Sequence, residues 1–272
     1  MTYADLHIHS SFSDGYYTPE KLVDLAIEKG VNAISITDHD SITSQYITKV
    51  KYDNINIIPG IEFSSRYNGE DIHILGYFID IDNNYLKDVL CKVNKFRMDR
   101  SIEILDKLKK ENIFLELDDL LLYEKVSIGR RNIANAMLKK GYVNTYSEAF
   151  NIYLARNKKA YVPGEKLETR EVIEIIRECG GMPILAHPGK IYRDLELEKM
   201  IKEFKCFGIK GIEVYHPSHT REKVNYFYNM CKKYKLLISG GSDFHGEENQ
   251  KNIIGDYGIN KELYLKMINL KK

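Results

Sequence analysis

The sequence predicts an α/β fold in which short parallel strands alternate with helices and a helical segment interrupts the pattern. Short apolar runs, among them residues 33–37, 182–186 and 211–215, are separated by stretches of helical periodicity. This alternation is typical of a parallel sheet or barrel. Between residues 81 and 159 the period becomes helical throughout, which indicates an insertion made of helices. Histidines and carboxylates also follow successive apolar runs, which places the candidate functional residues at one end of the strands.

End signals and apolar runs delimit the individual elements. Thr18 as N-cap, Pro19 in the first helical position and Gly30 at the end mark the first helix, after a strand over 4–8. Three more strands precede the insertion, over 33–37, 55–61 and 72–78, with a helix over 41–50 between the first two. After it, strands are predicted over 182–186, 211–215 and 236–241 and helices over 168–179, 195–207 and 219–234. We therefore predict a barrel domain formed by residues 1–80 and 160–272 and a helical insertion domain over 81–159.

Length and composition bound the class of protein. The 272 residues can bury a substantial core, and the net charge of +1 argues against binding long duplex nucleic acid by charge alone. Residues 81–163 hold 16 Lys and Arg against 11 Asp and Glu, which suits either a small polyanion or an ordinary solvated helix surface. No apolar run reaches the roughly 18 residues of a membrane span, and the four cysteines are scattered. We expect a cytoplasmic protein with reduced thiols, no signal peptide and no membrane partner.

Potential metal ligands lie at or just beyond the ends of several apolar runs. His7 and His9 are two apart on one strand and point to the same face, to which Asp14 can return from a loop. His73 lies within a strand. The others follow later runs: His39, Glu62, His187, Asp243 and His245. The carboxyl ends of barrel strands converge on one face, and imidazole with carboxylate suits a borderline divalent cation, so we predict a metal cluster there.

At these residues the sequence resembles the PHP (polymerase and histidinol phosphatase) family. The matching motifs lie at residues 5–9 with Asp14, at 37–39, at 60–62, at His73, at 186–188 and at 241–245. The resemblance covers the chain apart from much of its helical middle. It implies a distorted (β/α)₇ barrel with a trinuclear metal centre. All nine ligand positions of the family hold the expected type of residue: His7, His9, Asp14, His39, Glu62, His73, His187, Asp243 and His245.

The resemblance also implies how these ligands divide among three divalent ions. One ion would take His7, His9, Glu62 and Asp243. Glu62 would bridge to a second ion bound by His73 and His187. The third would take Asp14, His39 and His245. The ions in this family are commonly Mn²⁺, Fe²⁺ or Zn²⁺, and the mixed nitrogen and oxygen ligands do not choose between them.

The helical insertion and residues 213–217 resemble the stand-alone branch of the family. That branch includes a nucleoside 3′,5′-bisphosphate phosphatase and a 5′→3′ exonuclease acting on short RNA. Residues 128–130 and 160–163 match two further motifs of the branch. One departure follows them: where the branch usually has Pro-His, this chain has Arg131-Asn132. If that histidine binds substrate, the substrate of this chain differs.

We predict a metal-dependent phosphoesterase acting on a phosphomonoester or on a terminal nucleotide's phosphodiester, since closely spaced cations neutralise phosphate oxygens and activate water. The general acid is predicted to be His39, His216 or a metal-bound water, and Asp38 is expected to orient a neighbouring ligand. A separate set consists of residues that either bind substrate or serve structure. Arg130 and Arg131 bind a second phosphate or cap a helix, and His216 and His219 contact substrate or pack.

Three other functions fit parts of the sequence. A histidinol-phosphate phosphatase would have the same fold and a different small substrate. A polymerase-associated proofreading module would require a polymerase segment, which these 272 residues lack. A non-catalytic metal-binding regulatory protein would be signalled by decay of the ligand set, and all nine positions are filled. The expected partner is a small phosphorylated substrate, a nucleotide or short RNA, and the oligomeric state is left open.

Overall fold

The computed structural model describes residues 2–120, 127–191, 196–246 and 252–271. The strands within these residues are β1 Ala4–Ile8, β2 Ala33–Ile36, β3 Asn56–Ile57, β4 Gly60–Tyr67, β5 Glu70–Tyr77, β6 Leu167–Glu168, β7 Met182–Leu185, β8 Gly211–Tyr215 and β9 Leu237–Gly240. The α-helices are α1 Pro19–Glu28, α2 Asn84–Lys110, α3 Arg130–Lys139, α4 Tyr146–Ala149, α5 Thr169–Glu178, α6 Leu197–Phe207, α7 Arg221–Tyr234 and α8 Lys261–Lys271. Both element types alternate along most of the chain, as the sequence predicts.

Seven of the nine strands within the described residues form a closed ring that is shared between two sheets. One has the order β1-β2-β3 and the other β6-β4-β5-β7-β8-β9. They meet after β9, where the Asp243 amide donates to the His7 carbonyl (2.9 Å) and the His9 amide to the Phe244 carbonyl (2.9 Å). They meet again beyond β2, through a parallel bridge between His39 and Glu62. These contacts close β1, β2, β4, β5, β7, β8 and β9 into a distorted α/β barrel.

The strand β5 runs antiparallel to both of its neighbours, β4 and β7, whereas the sequence pattern suggested parallel strands. Its direction follows from a two-residue turn, Asn68-Gly69, with positive φ at both residues (49° and 79°). This is the turn geometry that joins two antiparallel strands with matched twist, and Asn-Gly is its most frequent sequence. The turn signal is present in the sequence, and it outweighs the alternation of strands and helices at this point.

The predicted strand over 55–61 is divided in the structure, and Glu62 does not follow a strand end. Residues 56–57 form the short β3 beside β2, and Glu62 is the third residue of β4. Because the Asp40 amide donates to the Glu62 carbonyl (2.9 Å), the start of β4 lies level with the segment just beyond β2. Glu62 therefore reaches the predicted face of the barrel from the beginning of its strand.

Capping residues and chain breaks explain the helix ends. Thr18 Oγ1 accepts from the Lys21 amide (3.4 Å) with Pro19 at the first position of α1, and Gly30 follows the helix with φ 70°. The helix expected over 41–50 consists of 3₁₀ turns over Thr43–Lys49. Residues 192–195, where the prediction begins α6, lie outside the described residues, and α8 was not predicted. Among the described residues no helix is long and apolar enough to cross a lipid bilayer.

Separate apolar clusters hold the barrel and the helical middle. Helices α5, α6 and α7 pack on the barrel strands in one cluster, which also takes Leu86 and Leu90 from the first half of α2. The second half of α2 supplies Ile104 and Leu108 to a different cluster with α3. The single long helix α2 thus connects the two clusters. The proposed domain boundaries at 81 and 159 remain a prediction.

Candidate metal centre and substrate cleft

Glu62 lies at the centre of a group of imidazole rings on the face where β1, β2, β7 and β9 end. Its Oε1 is 2.8 Å from both His73 Nδ1 and His187 Nε2. Its Oε2 is 3.0–3.3 Å from ring nitrogens of three other histidines: His7, His9 and His39. Glu62 is buried, with 1% of its surface exposed. Each oxygen of this carboxylate therefore faces ring nitrogens, as the oxygens of a bridging ligand do. The sets of ring nitrogens around the two oxygens overlap, since Glu62 groups with both His7 and His187 and also with both His39 and His73.

The charges of this group depend on each other. Burial by itself would raise the pKa of Glu62, but the nearby rings of His39 and His7 hold this pKa well below its usual range. Burial lowers the pKa of His9, yet the adjacent carboxylates of Asp243 and Glu62 raise it overall to about 9. The buried carboxylates thus favour positive charge on the groups next to them. Divalent cations would supply that charge without protonating the rings.

His7, His9 and Asp243 form one of the clusters of potential ligands. The distance between His7 Nε2 and His9 Nε2 is 3.1 Å, and Asp243 Oδ1 lies 3.2 Å from His9 Nε2 and 3.5 Å from His7 Nε2. Metal–ligand bonds of about 2.1 Å arranged tetrahedrally place ligand atoms about 3.4 Å apart. The separations in this cluster therefore match ligand atoms that share one ion.

Asp14 brings together a further cluster. Its Oδ1 lies 3.3 Å from His245 Nε2 and 3.6 Å from His9 Nδ1, and its Oδ2 lies 3.7 Å from His39 Nε2. His9 thus faces Asp243 with one nitrogen and Asp14 with the other. All nine predicted ligands lie in groups of this kind, in which the potential ligand atoms are within 4.8 Å of one another.

Several buried ligand atoms lack the partner that a metal ion would provide. His9 Nδ1, His39 Nδ1 and Glu62 Oε2 are buried and form no hydrogen bond with the parts of the chain that the structure describes. A buried polar atom without a partner costs about 1–3 kcal/mol. His39 Nδ1 and Glu62 Oε2 are only 3.0 Å apart, but their orientation is not that of a hydrogen bond. The donor set therefore fits divalent cations.

The backbone at the centre is held in unusual conformations. His187 has φ 25° and Asp243 has φ 49°, and for residues other than glycine such angles cost about 1–3 kcal/mol each. Both are candidate ligands, so the strain accompanies the aiming of their side chains. Gly241 allows β9 to approach β1 closely, since a Cβ there would lie 2.3 Å from His7 Cβ.

Glu213 supports two of the candidate ligands from behind. Its Oε1 lies 2.9 Å from His7 Nδ1, and its Oε2 accepts from the His187 amide at 2.7 Å. A carboxylate at Nδ1 of His7 directs its Nε2 to the metal face. The sequence placed Glu213 in a motif of the family branch without giving it this role.

Two further buried carboxylates accept hydrogen bonds from loop residues and form none with the rings of the described ligand histidines. Asp38 accepts from the Ser10 amide (2.8 Å), the Ser10 hydroxyl (2.7 Å) and the Ser13 hydroxyl (2.5 Å). It thereby orders the loop that carries Asp14, whereas a direct contact to a ligand histidine was expected. Asp5, which the prediction omitted, accepts from the Ser242 and Gly255 amides at 2.9 and 2.8 Å.

His216 and His219 lie behind the centre. His216 is 1% exposed, and its Nε2 lies 3.2 Å from Asp243 Oδ2. Lys190 Nζ donates to the same oxygen at 2.6 Å. His219 has Nδ1 2.9 Å from the Val214 carbonyl, and its Nε2 accepts from the Gly189 amide at 3.0 Å. These contacts give both rings structural partners, and their predicted roles with substrate stay predictions.

A basic cleft of about 190 Å³ lies directly beside the metal centre. The candidate ligands Asp14, His39 and His73 line it on the barrel side. Its other wall carries five cationic side chains from α2, α3 and the segment after the insertion: Arg97, Arg100, Arg130, Arg131 and Lys166. Both predicted substrate-binding arginines, Arg130 and Arg131, therefore lie at the cleft. Arg130 also donates to the Leu154 carbonyl (3.3 Å) and lies over the Phe150 ring.

The cations of the cleft are partly stripped of water and repel one another. Burial, with the nearby charge of Arg130, lowers the pKa of Arg100 to about 10. Burial lowers the pKa of Lys166 to about 8, although Asp71 Oδ2 is 3.0 Å from its Nζ. Arg97 is neutralised in part by Asp40, whose Oδ2 accepts from its Nε at 2.7 Å. This excess of buried positive charge favours an anion in the cleft.

Arg97, Arg100 and Lys166 were not predicted as site residues. Arg97 and Arg100 are three apart on a predicted helix and so share one face, which is a signal the sequence contained. Lys166 has no such signal. Asn132, where the family branch usually has histidine, caps α3 by accepting from the Gly129 amide (2.8 Å) and donates to the Ser13 carbonyl (2.8 Å). It links the insertion helix to the Asp14 loop.

Several known proteins are similar to this chain in sequence. Residues 5–178 match the PHP domain family. A 5′-3′ exoribonuclease of Haemophilus influenzae is 33% identical over 249 residues, which are 89% of this chain and 89% of the relative. A 3′,5′-nucleoside bisphosphate phosphatase of Chromobacterium violaceum is 28% identical over 250 residues, 90% of this chain and 88% of the relative.

A solved structure extends the likeness to the whole fold. It is described as a proposed metal-dependent phosphoesterase from Bifidobacterium adolescentis, is 25% identical, and superimposes with a TM-score of 0.88 over 98% of this chain and 95% of the other. The family model covers well over half of the sequence, and the metal-ligand motifs lie together in space. The chain therefore belongs to the PHP domain family and is a hydrolase of phosphate esters.

Proposed function

We propose that the protein removes a phosphate group or a nucleotide from a substrate that carries two phosphates, either a nucleoside 3′,5′-bisphosphate or the 5′ end of a short RNA. The observation that carries this proposal is the basic cleft immediately beside the candidate ligands Asp14, His39 and His73. A single phosphate would be satisfied at the metal centre alone. A second cationic site next to it calls for a second anionic group on the same substrate.

The nine candidate ligands would hold three divalent ions, in the partition that the resemblance implies. The cluster of His7, His9 and Asp243 with Glu62 Oε2 supports the first site. The approach of Glu62 Oε1 to His73 and His187 supports a bridged second site, and the ring nitrogens around Asp14 support the third. When bound, Mn²⁺, Fe²⁺ or Zn²⁺ ions would neutralise phosphate oxygens and activate water for attack.

The chain's own residues would position the substrate. Arg130 and Arg100 would bind the second phosphate, since a guanidinium matches two phosphate oxygens at once. Burial lowers the pKa of His245, and the positive charge of the nearby Arg131 lowers it further. Arg131 would therefore contact the phosphate closer to the ions. Asp38 would act by fixing the loop of Asp14.

His39 lines the cleft with 17% of its side chain exposed. Its proposed roles as metal ligand and as proton donor to the leaving oxygen are alternatives, because an imidazole nitrogen that binds a metal ion carries no proton. His216 is a weaker candidate for the same step, since it is buried against Asp243 and Ser218. We retain a substrate-binding role for His219 only as a prediction. A cytoplasmic location is also proposed, on the ground that Cys91, Cys179, Cys206 and Cys231 are all free thiols.

The test is phosphate or nucleotide release by metal-free protein reloaded with Mn²⁺. Four substrates are compared at equal concentration: adenosine 3′,5′-bisphosphate, AMP, a short 5′-phosphorylated RNA and histidinol phosphate. We expect the bisphosphate and the RNA to be preferred over AMP. Turnover of histidinol phosphate alone would keep the metal chemistry and overturn the nucleotide substrate. No turnover of any of the four by metal-loaded protein would overturn the proposal.

A further inference from the structure

A second cavity opens from the metal centre. It measures about 560 Å³ and lies between the loop of Asp14 to Tyr16 on the barrel and the helices α3 and α4. Asp14 lines both this cavity and the basic cleft, and His245 lines the second cavity. The two cavities therefore meet at a candidate metal ligand, and a substrate with its reacting phosphate at the ions can extend into both.

The chemistry of the second cavity differs from that of the basic cleft. Tyr16 has 61% of its surface exposed at the cavity wall. Lys139 is also exposed and forms no ion pair with any residue that the structure describes. Apart from Asp14, the described side chains along this wall include no carboxylate. An exposed aromatic ring with a free cation is the arrangement by which proteins bind single-stranded nucleic acid.

A third cavity, beside His73 and His187, is less suitable for a polyanion. Its four cations, Arg66, Arg130, Arg156 and Lys190, are offset by Glu70 and Asp71, and Lys190 already donates to Asp243 Oδ2 (2.6 Å). Arg156 is already 3.4 Å from Glu70. The second cavity is therefore the better path for a nucleic-acid chain leaving the centre.

We propose that the second cavity binds the second nucleotide of an RNA, with Tyr16 stacked on its base and Lys139 at the phosphate that follows. This inference rests on the proposed function and adds to it the residues that would hold the part of an RNA substrate that a bisphosphate lacks. A 5′-terminal phosphate would occupy the basic cleft, and the linkage between the first and second nucleotides would lie at the metal centre. A bisphosphate would use the cleft and the centre only.

The proposed placement goes with cleavage at the 3′ side of the first nucleotide, the same bond that is broken when a bisphosphate loses its 3′-phosphate. The oxygen of water bonds to phosphorus, the bond between phosphorus and the 3′-oxygen of the first nucleotide breaks, and that oxygen takes up a proton. The phosphate stays on the second nucleotide as a new 5′-phosphate. The shortened RNA can therefore bind in the same way, so that repeated cycles proceed from the 5′ end.

The test compares two substrates in Mn²⁺-loaded protein: a 5′-phosphorylated tetranucleotide and adenosine 3′,5′-bisphosphate. We expect Tyr16→Ala to lower the ratio of kcat/KM for the RNA to that for the bisphosphate by about tenfold, the usual effect of losing one stacked base. Tyr16→Phe should restore the ratio. Tyr226→Ala, which removes another exposed tyrosine from α7, is the matched control and should leave it at the wild-type value.

Lys139 gives an independent measurement. We expect Lys139→Ala to reduce the slope of log KM against log salt for the RNA by about 0.7, the contribution of one phosphate contact to a single strand. An unchanged ratio in Tyr16→Ala together with an unchanged salt slope in Lys139→Ala would overturn the inference while leaving the proposed function intact. If the wild type hydrolyses neither substrate, the proposed function fails and this inference fails with it.

Discussion

The metal face of the barrel and the wall of the basic cleft are built in different ways. Most candidate ligands lie on strands or in the few residues that follow a strand, where backbone hydrogen bonds such as His9 to Phe244 fix their positions, and Asp14 lies in the loop after β1. The cleft wall comes from α2, α3 and the segment after the insertion, and its cations interact through long side chains. On the proposed function, the strand ends would supply a metal geometry that many substrates can share, and the helices of the cleft wall would select the substrate.

This difference predicts two kinds of mutational effect. Changes on the metal face should reduce activity on every substrate by the same factor, because they act on the chemical step. Changes in the cleft wall should separate substrates with two phosphates from simple phosphate esters. The four predictions that follow test this division, beginning with the largest effect.

Replacing Glu62 by Gln should have the largest effect. The neutral amide cannot bridge the two groups of nitrogens that face its oxygens. We expect kcat/KM to fall by more than about a hundredfold on all substrates, since even residues that only orient metal ligands contribute about 10- to 100-fold. Bound metal per chain, measured by elemental analysis, should fall in parallel.

Glu28→Gln, at an exposed position at the end of α1, is the control for loss of a carboxylate. It should retain full activity and metal content. Full metal content in the Glu62 variant, with activity within tenfold of wild type, would show that Glu62 does not bridge ions.

Glu213→Gln should have a smaller effect of the same kind. Glu213 contacts His7 Nδ1 and the His187 amide but faces away from the cleft. We expect a 10- to 100-fold loss of metal affinity, and activity that recovers when excess Mn²⁺ is added. A loss that differs between the bisphosphate and a simple ester would assign Glu213 to substrate selection instead.

The metal face could be predicted from the sequence because each ligand lies in a short local motif. His7 and His9 share a strand face by their spacing alone, and Asp243 and His245 follow an apolar run. The position of Glu62 shows the limit of this reasoning. The residue reaches the site because β4 is displaced along β2, and that register depends on tertiary contacts that no local pattern records.

The cleft wall could be predicted only in part. Arg130 begins a helix after a recognisable motif, whereas Lys166 is far from any other site residue in the sequence and reaches the cleft through the packing of the insertion. Its partner Asp71 lies on β5, whose direction depends on the turn at Asn68-Gly69. Substrate residues assembled from distant segments thus require the fold, and metal ligands at strand ends do not.

Arg130→Ala should separate the two classes of substrate. Removing a charged hydrogen bond to phosphate costs about 1.5–3 kcal/mol, so we expect KM for adenosine 3′,5′-bisphosphate to rise at least about tenfold. KM for a simple phosphate ester should change little. Arg170→Ala, an exposed arginine on α5, is the control. Equal effects on both substrates would remove Arg130 from the binding of a second phosphate.

The smallest predicted effect is a pH dependence produced by Lys166. Its pKa in the folded protein is about 8, below an ordinary lysine value of 10.5. The ammonium of Lys166, which would add to the attraction for a second phosphate in the cleft, is therefore lost as the pH rises through about 8. We expect kcat/KM for the bisphosphate to decline above that pH and to level off once the amine is neutral, and kcat/KM for a simple ester to decline less. Lys166→Arg, whose guanidinium stays charged, should move the decline to higher pH.

The lowered pKa of Lys166 predicts that stability rises with pH where activity falls. This pair of opposite trends identifies Lys166 as the group that titrates. Between about pH 8 and 10.5 the unfolded chain keeps the proton on Lys166 and the folded protein does not. The free energy of unfolding contributed by Lys166 therefore increases with pH across this window. Lys166→Arg should abolish this increase in denaturant titrations as it restores binding of the bisphosphate. A decline in activity that is unchanged in Lys166→Arg would assign the titration to a group other than Lys166, either Arg100, whose pKa is also lowered, or a group at the metal centre.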